Sequence, residues 1–419
     1  LTTLDARTGT LKLGGDVTFT AAGSGRAKIS GNLDLGAATR TFTVGDSVSS
    51  NALIDLDAPA VITGAAGSGI TKAGTGAMRL GAANTFDGPI SVTGTMWLGN
   101  PQALGVPGAT RAITVNAASS LVLDGAGISD PAGRFTLSLN GVGNTLLGPI
   151  SGPLVNWTGN NTVPCPVTLA APSTIASLTP GDKLTLDGNI TSANLALTVT
   201  GDGNTELGGV LGLGTGGLNK YGGGLLTLRA KNTYSGATAI YAGELRVNGQ
   251  ITNANQLCTV SFNSTGGGTL SGTGIVGRLT ANATGVLAPG NGGVGTLRTY
   301  TNTIMNSNST YEWEIGATGD LVRVRGNLTL NSGWRLRIKD GGGAPRASDE
   351  WTIFTYTGWM TAVPGTCTLD TSLLNPAFWD TSGLQLMDDP AHKRVYITGL
   401  RYKGIAVSVS DAVVTEGNS

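Results

Sequence analysis

Two pairs of carboxylates, each spaced two residues apart, have the greatest potential for chemistry in this chain. Asp55 and Asp57 form one pair, and Glu312 and Glu314 form the other. Residues two apart on a β-strand project from the same face, with about 7 Å between the side-chain origins. Glycosidases cleave sugars with a pair of carboxylates at a similar separation. Either pair could therefore serve glycoside hydrolysis.

A structural interpretation explains both pairs more simply. The aspartates fit the solvated face of a strand. Glu312 and Glu314 are followed by Arg323 and Arg325, which alternate in the same way. Opposite charges on neighbouring strands attract each other. We therefore expect cross-strand ion pairs between these glutamates and arginines rather than a catalytic centre.

A third charged cluster lies close to the end of the chain. Asp388 and Asp389 precede Pro390, and His392 and Lys393 follow it. A metal site is one interpretation, and a charged turn before a strand at 394–398 is the simpler one. His392 is the only histidine, which removes sites built from several histidines.

Cysteine usage and glycine patterning exclude further kinds of site. Cys165, Cys258 and Cys367 are odd in number and widely spaced, which excludes a disulfide-dense scaffold and a cysteine-based zinc motif. The glycine-rich stretches contain no phosphate-binding GxxxxGK[ST] motif. We predict no catalytic residue, no metal and no cofactor.

The elements that carry these residues are predicted to be short β-strands. The chain contains 67 glycines among 419 residues, too many for long helices. Between them lie short runs of Thr, Val, Ile and Leu, which are typical of strands. Hydrophobic residues make up 40% of the chain, enough for a large core. The fold class is therefore all-β.

Charge and hydropathy limit the partners. Charged residues make up only 12% of the chain, and 26 basic residues balance 26 acidic ones. A balanced chain without Lys/Arg runs is not typical of proteins that bind nucleic acid or anionic membranes. No apolar run reaches the roughly 18 residues of a membrane helix. We expect neither nucleic-acid binding nor membrane insertion.

Internal repetition is the most informative feature of the sequence. Residues 135–152 match residues 195–212 at an offset of 60, and residues 70–88 match residues 218–236 at an offset of 148. Glycine suits tight corners, and asparagine suits turns and hydrogen-bonded ladders. The repeat positions that we assign to such structural roles are Lys72, Gly74, Asn84, Gly88, Asn144, Asn204, Lys220, Gly222, Asn232 and Gly236.

Leucine spacing sets the length of one structural period. Leu207, Leu226 and Leu245 follow each other at intervals of 19. A period near 20 with two or three short strands suits one coil of a parallel β-helix, in which each coil stacks on the next. The leucines that we expect inside are Leu80, Leu147, Leu207, Leu228 and Leu245.

Residues beyond about 296 differ from the preceding repeats in composition and in hydrophobic alternation. Aromatic residues concentrate there, and Tyr311, Trp313 and Ile315 share one face of a predicted strand. Trp334 and Ile338 share a face in the same manner. An aromatic-rich β capping unit over residues 296–403 would cover the last coil. Stacking of these rings on sugars is the alternative to core packing.

The stretch 216–249 resembles the autotransporter-associated β-strand repeat, also called the passenger-associated transport repeat. Its sequence is GGLNKYGGGLLTLRAKNTYSGATAIYAGELRVNG. Residues 68–94 resemble it more weakly, and residues 285–330 resemble the segment that often follows such repeats. The resemblance implies a right-handed β-helix and an exported bacterial surface protein, without catalytic residues. The stretch 405–419, IAVSVSDAVVTEGNS, resembles the first strand of a Calx-β-type module.

These observations predict an extracellular structural or adhesive β-solenoid rather than an enzyme. We expect a β-helix over residues 1–295, the capping unit over 296–403, and a linker or further module over 404–419. The expected partners are further copies or flanking domains of the same chain, assembled into a fibre or coat, with contact to glycans or a cell surface. The alternatives are a glycan-binding module and a carbohydrate-active enzyme on the same fold.

Overall fold

The computed structural model describes most of the chain as strands and turns. The described residues are 2–21, 23, 25–47, 53–106, 108–144, 148, 151–251, 256–261, 267–342, 350–362 and 367–403. Over these ranges every regular element is a strand, which confirms the all-β class. None of these residues forms a helix long and apolar enough to cross a membrane. Leu147 and the stretch 404–419 lie outside the described residues.

The strands stack into long parallel ladders, each of which takes one strand from successive coils. We name the four main ladders A to D. Ladder A contains Thr2–Lys12, Ala27–Asp34, Leu56–Ala58, Val61–Thr63, Ala77–Leu80, Thr95–Leu98, Ser120–Asp124, Leu154–Thr158, Ser173–Ser177, Leu197–Thr200, Leu218–Lys220, Thr238–Ile240, Leu257–Val260, Arg278–Ala281, Thr303–Met305, Leu328–Leu330 and Met360–Ala362. Ladder B contains Val17–Phe19, Arg40–Val44, Ile70–Ala73, Ile90–Val92, Arg111–Val115, Phe135–Leu139, Val167–Leu169, Ile190–Ser192 and Leu211–Gly212.

The two other main ladders belong to later parts of the chain. Ladder C contains Asn161–Val163, Lys183–Leu186, Asn204–Leu207, Leu225–Leu228, Gly243–Val247, Gly268–Gly272, Val286–Pro289, Thr310–Ile315, Arg335–Asp340 and Thr368–Leu373. Ladder D contains Lys231–Asn232, Gln250–Ile251, Ile275–Val276, Thr296–Thr299, Leu321–Val324, Glu350–Tyr356, Arg394–Thr398 and Gln385–Asp389. Trp379–Asp380 pairs separately with Arg401–Tyr402.

The offset between paired residues gives the length of each coil. Leu226 pairs with Leu245, as the leucine interval predicts. The offset is larger elsewhere, because Leu121 pairs with the more distant Leu154. The backbone groups of each coil are satisfied by the next coil in both cases. The structure is therefore a parallel β-helix with a basic coil of about 20 residues and insertions between some strands.

One continuous hydrophobic core runs through the stacked coils. Strand alternation sends every second side chain inward. Leu80, Leu207, Leu228 and Leu245 are at most 1% exposed, which confirms their predicted direction. Each of them meets residues of the coils above and below, so the core is shared between neighbouring coils.

Parallel pairing does not stop where the composition changes. Beyond residue 295, Leu297 pairs in parallel with Val322, and the last parallel strand is Thr368–Leu373. Antiparallel pairing joins Glu350–Tyr356 to Arg394–Thr398, and the latter to Gln385–Asp389. The β-helix thus continues into the aromatic-rich region, and the antiparallel strands lie at its far end.

Aromatic side chains fill the interior of this last part. Tyr311, Trp313 and Trp334 are buried, as the alternation predicts. Tyr311 packs edge-to-face on Phe354 at a centroid distance of 5.0 Å, and Trp313 packs on Trp351 at 6.1 Å. Rings in this geometry stabilise each other beyond the area that they bury. Core packing rather than sugar stacking therefore explains these five rings.

Candidate functional site

A buried lysine marks the corner of the repeat at residues 218–247. Lys220 ends the strand Leu218–Lys220, whose alternation directs residues 218 and 220 inward, and its side chain is only 2% exposed. Its Nζ donates hydrogen bonds to the carbonyl oxygens of Tyr221 and Gly222, both at 2.7 Å, and to Ala242 at 3.3 Å. The ammonium thereby joins a corner to the corner of the following coil.

The equivalent lysine of the earlier repeat has the same contacts. Lys72 is fully buried, and its Nζ donates to the carbonyl oxygens of Ala73 at 3.0 Å, Gly74 at 2.8 Å and Thr93 at 2.9 Å. Burial lowers the pKa of both Lys72 and Lys220 to about 8, and nearby carboxylates partly oppose this effect. The two copies thus share one local structure.

Glycines make room for the lysine corner. Gly74 and Gly222 have φ values of +80° and +70°, in the region that favours glycine. In the next coil, a Cβ at Gly94 or Gly243 would lie 3.0 or 2.8 Å from the lysine Nζ. The corner therefore requires glycine both in the coil of the lysine and in the next coil.

The other two matched glycines are equally crowded. A Cβ on Gly88 would clash with the carbonyl oxygen of Gly67, and one on Gly236 with that of Gly216. Both positions lie where the backbone of one coil crosses closely over that of the coil before. Only glycine permits this approach.

Matched asparagines link neighbouring coils. The Oδ1 atom of Asn84 accepts a hydrogen bond from the backbone N–H of Ile62 at 2.8 Å, and that of Asn232 accepts from Leu211 at 2.9 Å. Both asparagine side chains are buried. These bonds satisfy backbone groups of the preceding coil, so the amides serve the architecture.

The second pair of asparagines makes related but not identical contacts. Asn204 accepts from the backbone N–H of Leu225 at 3.0 Å. Asn144 donates through Nδ2 to the Oγ1 atom of Thr95 at 2.9 Å. Asn204 and Asn232 lie within short strands, although the sequence suggested turns.

A further asparagine ladder was missed by sequence reasoning. Asn306 donates through Nδ2 to the Oδ1 atom of Asn282 at 2.9 Å, and Asn331 donates to the Oδ1 atom of Asn306 at 2.7 Å. The three residues stand one coil apart. Their nearly equal spacings, of 24 and 25 positions, were the signal that could have revealed the ladder.

The first carboxylate pair does not lie on a solvated face as predicted. Asp55 is only 1% exposed, and it accepts hydrogen bonds from the backbone N–H groups of Ser47 at 3.0 Å and Ala77 at 2.7 Å. Asp57 is half-buried and forms an ion pair with Arg79 at 3.5 Å. The prediction was wrong for Asp55 because the strand begins only at Leu56, so simple alternation does not apply to it.

The predicted partners of the second carboxylate pair are also wrong. Glu312 stands opposite Arg337 in ladder C, and Glu314 stands opposite Lys339. The ion pairs measure 3.6 Å for Glu312 and 2.5 Å for Glu314. Arg323 and its neighbour Arg325 belong to the ladder D face of the coil. Consecutive strands lie on different faces of a solenoid, so the true neighbours come from the next coil.

A groove of about 300 Å³ lies beside these glutamates. Glu314 is buried, and its Oε2 atom meets no hydrogen-bond donor among the described residues. Asp320 is fully buried and accepts from the backbone N–H groups of Gly295 at 2.7 Å and Glu314 at 3.0 Å. Burial raises the pKa of Asp320 to about 8, and the two backbone hydrogen bonds partly oppose this effect. Lys339 holds Glu314 by its other oxygen, which favours a structural role for the cluster.

The remaining candidates have ordinary surroundings. Asp389, at the end of the strand Gln385–Asp389, lies 2.8 Å from the Nδ1 atom of His392 in the following turn and 3.0 Å from the Nε atom of Arg394 in the next strand. Across the described ranges, His, Cys, Asp and Glu side chains form no group of three or more that could hold a metal. Cys165 and Cys258 are buried free thiols, and burial raises the pKa of each to about 12.

Comparison with known proteins matches the segments that contain the lysine corners. The passenger-associated transport repeat family matches residues 70–94 and 218–247. An extracellular serine protease of Serratia marcescens is 38% identical over 125 residues, which cover 30% of this chain and 11% of that protein. The adhesin BmaC autotransporter of Brucella suis biovar 1 (strain 1330) is 30% identical over 155 residues, which cover 35% of this chain and 4% of that protein.

The family match and the geometry agree at the level of single residues. Each matched segment contains one buried lysine, its corner glycine and the glycine of the following coil. The chain spans about a tenth or less of the length of these two relatives, so the similarity concerns the solenoid and not a whole protein. Two segments of the chain, 70–94 and 218–247, thus match the passenger-associated transport repeat, and each contains a lysine corner.

Proposed function

We propose that this chain is an extracellular, structural segment of a bacterial surface protein, equivalent to part of an autotransporter passenger. The observation that carries the proposal is the lysine corner, which occurs in both matched repeats with the same three kinds of hydrogen bond. The names of the two relatives, an extracellular protease and an adhesin autotransporter, support an exported location.

The architecture supports a role as a spacer or adhesive rod. Coils that pair with both neighbours resist bending, and the faces between the corners remain available for contacts. One edge of the strand Thr2–Lys12 pairs with Ala27–Asp34. We propose that further copies of the chain, or flanking parts of the same polypeptide, add strands to the edges of these ladders and so build a fibre or coat.

Surface exposure can be tested on intact cells of the source bacterium. Antibodies against the purified chain should label the cells, and added proteinase K should remove the signal without lysis. A cytoplasmic protein serves as the control that stays protected. Protection of this chain until the cells are lysed would contradict the proposed location.

Electron microscopy of the purified chain, with and without residues 405–419, tests the proposed assembly. Fibres formed by both proteins would exclude a role of the tail in assembly. Monomers in both samples would contradict self-association.

The competing function is a carbohydrate-active enzyme that uses the groove beside Glu312 and Glu314. Both glutamates are held by cations, which favours structure over catalysis. Purified chain should therefore release no reducing sugar from polysaccharides. Turnover that disappears in Glu312→Gln and persists in a matched Glu206→Gln variant would establish the enzyme instead.

A further inference from the structure

Three arginines gather on the outer face of ladder D, and we call them the arginine face: Arg298, Arg323 and Arg325. Arg298 stands directly opposite Arg323 in the parallel register. Arg325 follows Arg323 by two residues and lies over the ring of Tyr300 at 5.6 Å. Neighbouring strands are about 4.8 Å apart, and like charges directly opposite each other destabilise a sheet.

No carboxylate neutralises these arginines within the part of the chain that the structure describes. Their described contacts are a long hydrogen bond from Arg298 to the carbonyl oxygen of Thr273, at 3.4 Å, and the stacking of Arg325 on Tyr300. None of the three forms an ion pair with a described residue. Among the described residues no ion pair therefore compensates the positive charge of these three side chains, and the nearest carboxylate to the concavity is that of Asp388, which faces Tyr356.

Ladder C shows that such a lack of pairing is not general. Its cations Arg337 and Lys339 face Glu312 and Glu314, and Arg337 also reaches Asp370 at 3.2 Å. The whole chain has equal numbers of acidic and basic residues. An uncompensated cluster in a balanced chain indicates an external anion rather than an overall excess of charge.

The arginine face borders a concavity of about 240 Å³, which Thr355, Tyr356 and Thr357 complete on the next coil. Lys393 adds a cation 5.7 Å from the ring of Tyr356. The hydroxyl group of Tyr356 is buried, whereas Thr357 is exposed. The threonine hydroxyls and the guanidinium groups together match the chemistry of a charged sugar: hydrogen bonds for its hydroxyls and charge for its acid group.

We propose that the arginine face binds an acidic polysaccharide through carboxylate or sulfate groups. The arginine side chain presents a planar fork of donors that matches such oxyanions. Arg298 and Arg323 repeat along the axis of the solenoid at the spacing of the coils, which suits successive charges of a linear polymer. This inference rests on the proposed extracellular location, because that is where the rod would meet such polymers.

The test compares two double variants of the purified chain. R323Q/R325Q removes two charges from the arginine face. The control K183Q/R229Q removes two charges from ladder C, where Glu206 pairs with both cations. Biolayer interferometry at low ionic strength measures binding to polygalacturonate and heparin, with dextran as the neutral polymer. Binding to the acidic polymers should weaken at least tenfold in R323Q/R325Q and less than twofold in the control, because lost charge-assisted hydrogen bonds act only at the first site.

Circular dichroism and melting temperature must show that both variants fold as the wild type does. Equal loss in both variants, unchanged affinity in R323Q/R325Q, or equal binding of dextran would overturn the proposal. Tighter binding of phosphatidylglycerol vesicles or double-stranded DNA than of either acidic polysaccharide would also overturn it. The proteinase K experiment on intact cells does not depend on this binding, so a failure of one proposal is distinguishable from a failure of the other.

Discussion

Replacing Lys220 with methionine tests whether the lysine corner stabilises the solenoid. Methionine preserves the length and apolar body of the side chain but cannot donate hydrogen bonds. The carbonyl oxygens of Tyr221, Gly222 and Ala242 then lose a donor. Lys231, exposed on the same coil, provides the matched control Lys231→Met.

Two opposing terms set the size of the effect at neutral pH. A buried polar atom that loses its partner costs about 1–3 kcal/mol, so three carbonyl oxygens correspond to about 3–9 kcal/mol. Methionine also removes the burial of a charge, which lowers the pKa of Lys220 to about 8 and corresponds to roughly 3 kcal/mol. We expect Lys220→Met to lower the free energy of unfolding by about 3 kcal/mol at pH 7, and Lys231→Met to change it by less than about 0.5 kcal/mol.

The direction in which stability changes with pH provides a second, independent test of the buried lysine. Below pH 8 the lysine is charged in both the folded and the unfolded chain, so the full penalty of burial applies. Between pH 8 and 10.5 the unfolded chain retains a proton that the folded chain has lost. Stability therefore rises with pH in this window, by about 1.4 kcal/mol per pH unit for one lysine. The difference in unfolding free energy between wild type and Lys220→Met should therefore increase from pH 8 to pH 10.

Urea unfolding of wild type, Lys220→Met and Lys231→Met at pH 7, 9 and 10 measures these differences in unfolding free energy. Ionisable groups that all three proteins share contribute equally to each, so their effect cancels in the differences. Carbon-13 NMR of the lysine Cε atoms reports the pKa of Lys220 directly. A gap that stays constant up to pH 10 would show that the carbonyl oxygens keep the ammonium protonated and that burial does not dominate. Equal stability of the two variants at pH 7 would refute the structural role of the corner.

Three further substitutions test other parts of the architecture, each by urea unfolding. Leu228→Asp places an unpaired charge in the core and should lower the free energy of unfolding by several kcal/mol. The control Thr227→Asp, at the neighbouring outward-facing position, should change this free energy by under about 1 kcal/mol. Similar values for the two variants would contradict the inward direction of Leu228. Gly222→Ala should cost more than about 2 kcal/mol because of its positive φ and its contact with Gly201, whereas Gly15→Ala, in open space, should be nearly neutral. Asp320 binds a proton in the fold up to about pH 8 but only to about pH 4 when unfolded, so its contribution to stability declines between pH 4 and 8; Asp320→Asn should remove that decline, and an unchanged profile would refute the raised pKa.

The strands, the inward residues and the repeats could be predicted because their signals are local. Alternation along one strand is enough to direct Leu228 inward, and Trp313 follows the same rule. Lys72 and Lys220 recur at matched positions of the two repeats, which indicates a shared structural role, but the sequence does not show that they bind the carbonyl oxygens of a corner. Short-range patterns determine which face of a strand is buried.

Pairs between coils could not be predicted, because the offset between coils varies. Glu312 pairs with Arg337 of the next coil and not with Arg323, which is nearer in the sequence. The offset between Leu121 and Leu154 is almost twice that between Leu270 and Leu287. The sequence alone does not reveal how much chain is looped out at each turn, so neighbours across coils remain ambiguous. The charge pairing and the groove beside Glu314 depend on such neighbours.

The lysine corner shows what the two repeats share in physical terms. Lys72 lies in ladder B, whereas Lys220 lies in ladder A, so equivalent corners serve different faces of the solenoid. Each matched segment runs slightly past one full coil, because Ile70 pairs with Ile90 and Leu218 pairs with Thr238. The contacts that the two segments share are those of the inward lysine and of the glycines beside it, in its own coil and in the next. The strands between corners are free to differ, and the arginine face lies on such strands, outside both matched segments. The combination of a shared corner structure with different faces supports the proposed role as a surface rod.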